Sequence, residues 1–186
     1  MNIPNSVTLV RIVLIPVFIV VFYLPYHWTN LAAAVLFAVG GLTDWLDGYL
    51  ARRLGQTSPF GAFLDPVADK LMVTVALVLL VQADPRASLA VTAAIIIGRE
   101  IAISALREFM AELGQRARVR VVTVAKYKTT AQIVAIVLML YREPVAGVPV
   151  YTIGFAVLIA AAGLTLWSMA VYLRAAWPSL RPGSQP

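Results

Sequence analysis

Residues 151–173 carry no charged side chain and are apolar all round. An α-helix crosses a hydrocarbon core of about 30 Å with about 20 such residues. A helix on the surface of a soluble protein keeps a polar face, which this stretch lacks. Five further apolar runs precede it. Residues 7–24 are broken only by Arg11 and Pro16, and residues 31–54 are apolar in their first half. Residues 62–81 are charged only near their start. Residues 88–106 are interrupted by Arg99 and Glu100, and residues 128–141 complete the set. None alternates apolar and polar residues as a spanning strand does. The chain therefore reads as an all-α integral membrane bundle of six transmembrane helices.

Composition agrees. Hydrophobic residues make up 61% and charged residues 13%, against about 45–50% and about 25% in soluble domains. This excludes a soluble globular enzyme as the default, and a disordered chain with it. At 186 residues the chain is one domain. We place it at residues 1–177, with a short flexible tail at 178–186 marked by Pro178, Pro182, Gly183 and Pro186. The absence of cysteine excludes a disulfide scaffold, a thiolate metal site and a cysteine nucleophile. A single histidine excludes most imidazole-rich metal sites.

The net charge of +6 is a topology signal before it is a nucleic-acid signal. Arg52 and Arg53 follow the second run; Arg107, Arg116, Arg118, Arg120, Lys126 and Lys128 surround the segment after the fourth. The tail holds Arg174 and Arg181. The intervening loops are nearly neutral: "PYHWTN" has no lysine or arginine, Arg86 accompanies Asp84, and Arg142 accompanies Glu143. Lysine and arginine favour the cytoplasmic side, so both termini are expected in the cytoplasm and no nucleic-acid partner is expected. The first run lacks a basic lead and a small-residue cleavage site, and is expected to be retained. His27, between Tyr26 and Trp28, reads as part of an interfacial aromatic belt. "GQRARVRVV" suits an anionic lipid surface better than nucleic acid.

Charges inside membrane segments are costly and usually functional. Here they cluster in "DWLDGYLARRLGQTSPFGAFLDPVADK". Asp44 and Asp47 share a helix face at i, i+3, and Asp65 and Asp69 share one at i, i+4. Gly55, Pro59 and Gly61 break the chain between them. Two antiparallel helices joined there bring both pairs to the same, cytoplasmic end. Four carboxylates together repel and resist ionisation unless cations lie among them. Oxygen ligands without histidine or thiolate suit Mg²⁺ or Mn²⁺. Four shared carboxylates can hold two ions about 3.5–4 Å apart, the arrangement of two-metal displacement at phosphorus. The small Gly48 and Ala51 leave room for a ligand beside the backbone. A divalent-cation transporter is a rival reading, but it would place acids near mid-membrane and in both halves. A purely structural membrane protein leaves the spacing unexplained.

The pattern D-x2-D-G-x2-A-R-x8-G-x3-D-x3-D runs through Asp44, Asp47, Gly48, Ala51, Arg52, Gly61, Asp65 and Asp69 without departure. It resembles the signature of the CDP-alcohol phosphatidyltransferases. "NIPNSVTLVRIVLIPVF", "FGAFLDPVADKL", "REIAISALREFMAELG" and "AKYKTTAQ" extend the likeness over nearly the whole chain, towards the bacterial branch that forms phosphatidylglycerophosphate. The resemblance implies transfer of a phosphatidyl group from CDP-diacylglycerol to the 1-hydroxyl of sn-glycerol 3-phosphate, with release of CMP. It implies that Asp44, Asp47 and Asp65 bind the metals. It implies that Asp69 completes the site and acts as general base. It implies that Gly48, Ala51, Arg52 and Gly61 line the CDP-lipid pocket, bordered by Asn5 and Thr8. It also implies a homodimer in the bacterial cytoplasmic (inner) membrane, with the active site facing the cytoplasm.

An acceptor with its own phosphate needs a second cationic pocket. Arg99 and Arg107 are eight residues apart, slightly over two helical turns, and Lys126 and Lys128 open the next helix. These four are the expected phosphate ligands. Arg107, Lys126 and Lys128 also suit topology anchors; Arg99, inside a helix, does not. Glu100 could partner Arg99, although adjacent helical residues point in different directions. Ala125 stands where this branch often has glycine. Arg11, in a polar stripe with Asn5 and Thr8, either borders the substrate or snorkels to the interface. An inositol phosphate, serine or phosphatidylglycerol acceptor on the same fold is the nearest rival.

Overall fold

A computed structural model describes the backbone over residues 3–54, 59–112 and 124–180, and the side chains over most of 9–43, 64–111 and 129–174. The described chain forms α1 (Ile3–Tyr23), α2 (Thr29–Leu54), α3 (Pro59–Ala83), α4 (Ala87–Glu112), α5 (Val124–Tyr141) and α6 (Val150–Leu180). No strand occurs among the described residues; one isolated bridge joins Val145 and Val148. The all-helical expectation holds, and each apolar run coincides with one helix. The helices overrun the apolar stretches because good helix formers continue past the greasy part. Thus α4 extends through "REFMAE" to Glu112, and α6 extends through "RAA", its last turn to Leu180 forming in spite of Pro178.

Two helices are long and apolar enough to cross a membrane, Ala87–Ala111 and Val150–Val171. Their 25 and 22 residues span about 37 and 33 Å. Only 28% of the second span is buried, so most of its apolar surface faces outward. The other helices are apolar over shorter described stretches, such as Thr29–Thr43 and Lys70–Ala83. Val13, Val20, Leu42, Val91, Ile101 and Trp167 stand exposed on the outside. That surface suits lipid as solvent rather than water.

The core is one cluster. Phe18, Phe37, Leu77, Leu80, Leu89, Ile96, Ile136, Met139 and Leu158 are fully buried in it. α1 packs on α2 and α3, α2 reaches α5, and α4 packs on α6. The most extensive pairing is α5 with α6, and small residues explain it. A Cβ placed at Gly154 would lie 2.8 Å from the Ala135 carbonyl oxygen and 2.9 Å from Leu138 Cβ. Only glycine lets the two backbones approach so closely. Ala135 and Ala162, buried in the same cluster, have the same small size. The turn before α6 is equally tight. Val145 and Val148 exchange backbone hydrogen bonds at 3.2 and 2.9 Å around Ala146 (φ 49°) and Gly147 (φ 81°). Two successive positive φ values mark a two-residue hairpin turn of type I′.

The loops at this end are pinned by specific contacts. Asp84 accepts from Arg86 Nε at 2.8 and 2.9 Å and from the Tyr151 hydroxyl on α6. The Arg86 guanidinium lies 4.7 Å from the centre of the Phe155 ring. Hydrogen bonds from Arg86, and then from Tyr151, hold the Asp84 carboxyl below the usual carboxylate range against the opposing effect of partial burial. Tyr23 on α1 donates to Gln82 on α3 at 2.8 Å, and Arg142 sits over the Phe22 ring at 5.2 Å.

Candidate active site at the opposite end of the bundle

The motif falls at the other end. Asp44 and Asp47 lie on the last three turns of α2, and Asp65 and Asp69 lie on the first three turns of α3. Residues 55–58 between the helices lie outside the described residues. So the backbone gives the arrangement expected from the spacing: two carboxylate pairs on consecutive helices, near the end where those helices join. The side chains of Asp44, Asp47, Gly48, Ala51, Arg52, Gly61, Asp65 and Asp69 lie outside the described side chains, as do those of Asn5, Thr8, Arg107, Lys126 and Lys128. Arg107 stands in the last two turns of α4 and Lys126 and Lys128 in the first turns of α5. These elements flank residues 113–123, so the basic positions and the aspartates share an end of the bundle. Elsewhere among the described residues no group of three or more His, Cys, Asp or Glu side chains is placed to hold a metal.

Arg99 is the described member of the acceptor set. Its side chain is 7% exposed, between α4 and α6. Nη1 donates to Glu100 Oε1 at 2.6 Å, and Nη2 donates to Ser168 Oγ on α6 at 3.3 Å. Nε is buried and makes no hydrogen bond to a described residue. The ion pair with Glu100 forms although adjacent helical residues point in different directions. The arginine stem is long enough to fold back around the helix, and burial makes an uncompensated guanidinium too costly to leave. Arg11 is 1% exposed, so it is buried in the bundle rather than snorkelling to the interface.

Ser104 and Ser168 escaped the sequence reading, whereas Lys70 reads from the sequence as a cation among the aspartates. Lys70, directly after Asp69, reaches away from α3 and donates to Ser104 Oγ on α4. Ser104 donates in turn to the Glu100 carbonyl at 2.6 Å. Ser168 donates to the Thr165 carbonyl at 2.9 Å. The available signal was Thr165 and Ser168 as a polar i, i+3 pair inside a charge-free span.

Comparison with known proteins gives the family. Residues 1–167 match the CDP-alcohol phosphatidyltransferase family. The chain is 60% identical over 182 residues to a CDP-diacylglycerol–glycerol-3-phosphate 3-phosphatidyltransferase of Pseudomonas fluorescens, covering 97% of this chain and 93% of that one. It is 52% identical over 175 residues to the protein of the same name from Escherichia coli (strain K12), covering 94% of each. The Salmonella typhi protein of that name is 51% identical, again over 94% of each. The chain belongs to the CDP-alcohol phosphatidyltransferase family.

Proposed function

We infer that the protein transfers a phosphatidyl group from CDP-diacylglycerol to sn-glycerol 3-phosphate, giving phosphatidylglycerophosphate and CMP in phospholipid biosynthesis. The observation that carries this is the 60% identity, along nearly its whole length, to a relative named for that reaction. Support from the fold is the position of both aspartate pairs on the terminal turns of the consecutive helices α2 and α3.

The reaction joins the C1 hydroxyl oxygen of the acceptor to the phosphatidyl phosphorus. The bond from that phosphorus to the bridging oxygen breaks, and CMP leaves with the electron pair. Asp69 takes the hydroxyl proton. Asp44, Asp47 and Asp65, with Asp69, form a donor set of carboxylates only, which fits a hard divalent cation. Two Mg²⁺ or Mn²⁺ ions held there would neutralise diphosphate charge and acidify the hydroxyl. Arg52 faces the task of binding the diphosphate, while Gly48, Ala51 and Gly61 keep the wall low for the nucleotide. Asn5 and Thr8 border this lipid-nucleotide pocket. Arg99, Arg107, Lys126 and Lys128 hold the acceptor's phosphate, and phosphoryl transfer depends on such positioning and charge neutralisation.

All six helices cross the bacterial cytoplasmic membrane in this reading, with both termini and the active site on the cytoplasmic side. The exposed apolar shell and the basic segment at the motif end support it. The enzyme works as a homodimer, and CDP-diacylglycerol enters sideways from the leaflet. The test is CMP release by purified protein in detergent with CDP-diacylglycerol and Mg²⁺. Glycerol 3-phosphate, inositol phosphate, serine and phosphatidylglycerol are offered separately, with an EDTA control. Metal-dependent release with glycerol 3-phosphate alone is expected. Release with another acceptor overturns the acceptor pocket. No release with any acceptor, with Mg²⁺ or Mn²⁺, turns the reading towards a binding or transport role for the four aspartates.

A further inference from the structure

α6 carries no motif residue and no charge over most of its length, yet it reaches the acceptor region through one hydroxyl. The Ser168 hydroxyl gives its proton to the Thr165 carbonyl, so its lone pairs remain to accept from Arg99 Nη2. Thr165 does the simpler thing: its hydroxyl bonds back to the Ala161 carbonyl at 2.6 Å. Both residues are buried, but of their side-chain hydrogen bonds to described residues only that of Ser168 crosses to another helix. On the far side of the same α4 turn, Lys70 grips Ser104, which is bonded to the Glu100 carbonyl. The Arg99–Glu100 turn is therefore held from α3 on one side and from α6 on the other.

A guanidinium offers five N–H donors. Among the described residues Glu100 and Ser168 each take one from Arg99, and Nε is left with none. A long arginine stem loses much rotamer freedom when it is fixed, and fixing it before the ligand arrives removes that cost from binding. We propose that Ser168 is a positioning residue of the acceptor site: it holds the Arg99 guanidinium so that its remaining donors are preset for the phosphate of the acceptor. The inference rests on the assignment of Arg99 to the acceptor phosphate under the proposed function.

The test is steady-state kinetics of Ser168→Ala, Ser168→Cys and Arg99→Gln in detergent, each with a melting temperature. Ser168→Ala should raise KM for glycerol 3-phosphate about fivefold, the effect of one lost hydrogen bond. KM for CDP-diacylglycerol and kcat should stay within about twofold of wild type. Ser168→Cys keeps the volume but offers a poorer acceptor, so it should fall between wild type and alanine. It carries the test alone if the alanine variant does not fold. A purely packing role would leave cysteine like wild type, and that result overturns the proposal. Equal increases in both KM values overturn it as well. Arg99→Gln separates the two levels of inference. If it raises the acceptor KM while neither Ser168 variant does, positioning by Ser168 fails and the acceptor pocket stands. If Arg99→Gln leaves the acceptor KM unchanged, the phosphate assignment itself fails, and this proposal with it.

Discussion

The two ends of the bundle use the same residue types in different ways. At the end bearing residues 84–86 and 142–149, the cations are absorbed by structure. Arg86 is bonded to Asp84 and lies over Phe155, and Arg142 lies over Phe22. Arg99, near the middle of α4, is more deeply buried than either, yet its Nε makes no hydrogen bond to a described residue. At the other end four aspartates stand on the terminal turns of α2 and α3, in a chain with nine acidic residues in all. A charge that is paired and packed is accounted for by stability. A charge held out of water with donors to spare is costly, and points to a ligand.

Exchanging one carboxylate at each end tests that contrast most sharply. Asp44→Asn or Asp65→Asn should lower turnover by at least about a hundredfold, the scale for losing one preorganised electrostatic group. The melting temperature in detergent should hold. Asp84→Asn should do the reverse, lowering the melting temperature while kcat stays within about twofold. Substantial turnover in purified Asp44→Asn or Asp65→Asn would remove the metal-site assignment. A loss of turnover in Asp84→Asn would dissolve the division between the ends.

The next effect concerns the packing of α6 on α5 near the start of α6. Gly154→Ala places a methyl group 2.8 Å from a backbone oxygen, and a carbonyl in α5 cannot swing aside as a side chain can. Overpacking of this kind costs about 1–3 kcal/mol. Thermal unfolding should show a clear fall, with KM values little changed in the folded fraction. An unchanged melting temperature would mean that α6 can slide on α5.

Sequence spacing revealed the aspartate end because a membrane segment makes each charge conspicuous: Asp44, Asp47, Asp65, Asp69 and Arg99 stood out against an apolar background. The helices were legible for the same reason, and their ends less so, since α4 and α6 continue past their apolar spans to Glu112 and Leu180. The partners of those charges were hidden. Lys70–Ser104 and Arg99–Ser168 join residues 34 and 69 positions apart, and a serine in an apolar helix resembles one bonded to its own backbone. The Asp84–Tyr151 contact was hidden too, since its loop read only as a neutral connection.

The pH response of the pinned end is smaller. Asp84 has its folded-state pKa lowered by Arg86 and Tyr151. A depressed carboxylate contributes stability above its unfolded pKa of about 3.9, and the contribution fades as pH falls through the lower folded value. The melting-temperature gap between wild type and Asp84→Asn should therefore be constant above about pH 5 and close below about pH 4. A gap that stays open in acid would show that Asp84 acts through shape rather than charge.

The smallest effect lies in the turn that starts α6 at this end. Ala146 sits at φ 49° and Gly147 at φ 81°. The left-handed region costs an L-residue with a Cβ roughly 1–2 kcal/mol, and asparagine relieves part of this through local hydrogen bonding. Glycine already fills the second position, so Ala146→Asn completes the Asn-Gly pair that type I′ turns favour. Glycine at 146 would relieve the strain as well, but would return part of the gain as unfolded-chain entropy. Ala146→Asn should therefore stabilise by about 0.5–1 kcal/mol and leave acceptor and lipid KM values untouched, because the turn lies at the opposite end from the motif. A raised melting temperature with unchanged kinetics would show that this end can be tightened without the motif end sensing it. Altered kinetics would show that α6 transmits strain along its length to Ser168, and the two ends would have to be treated as one machine.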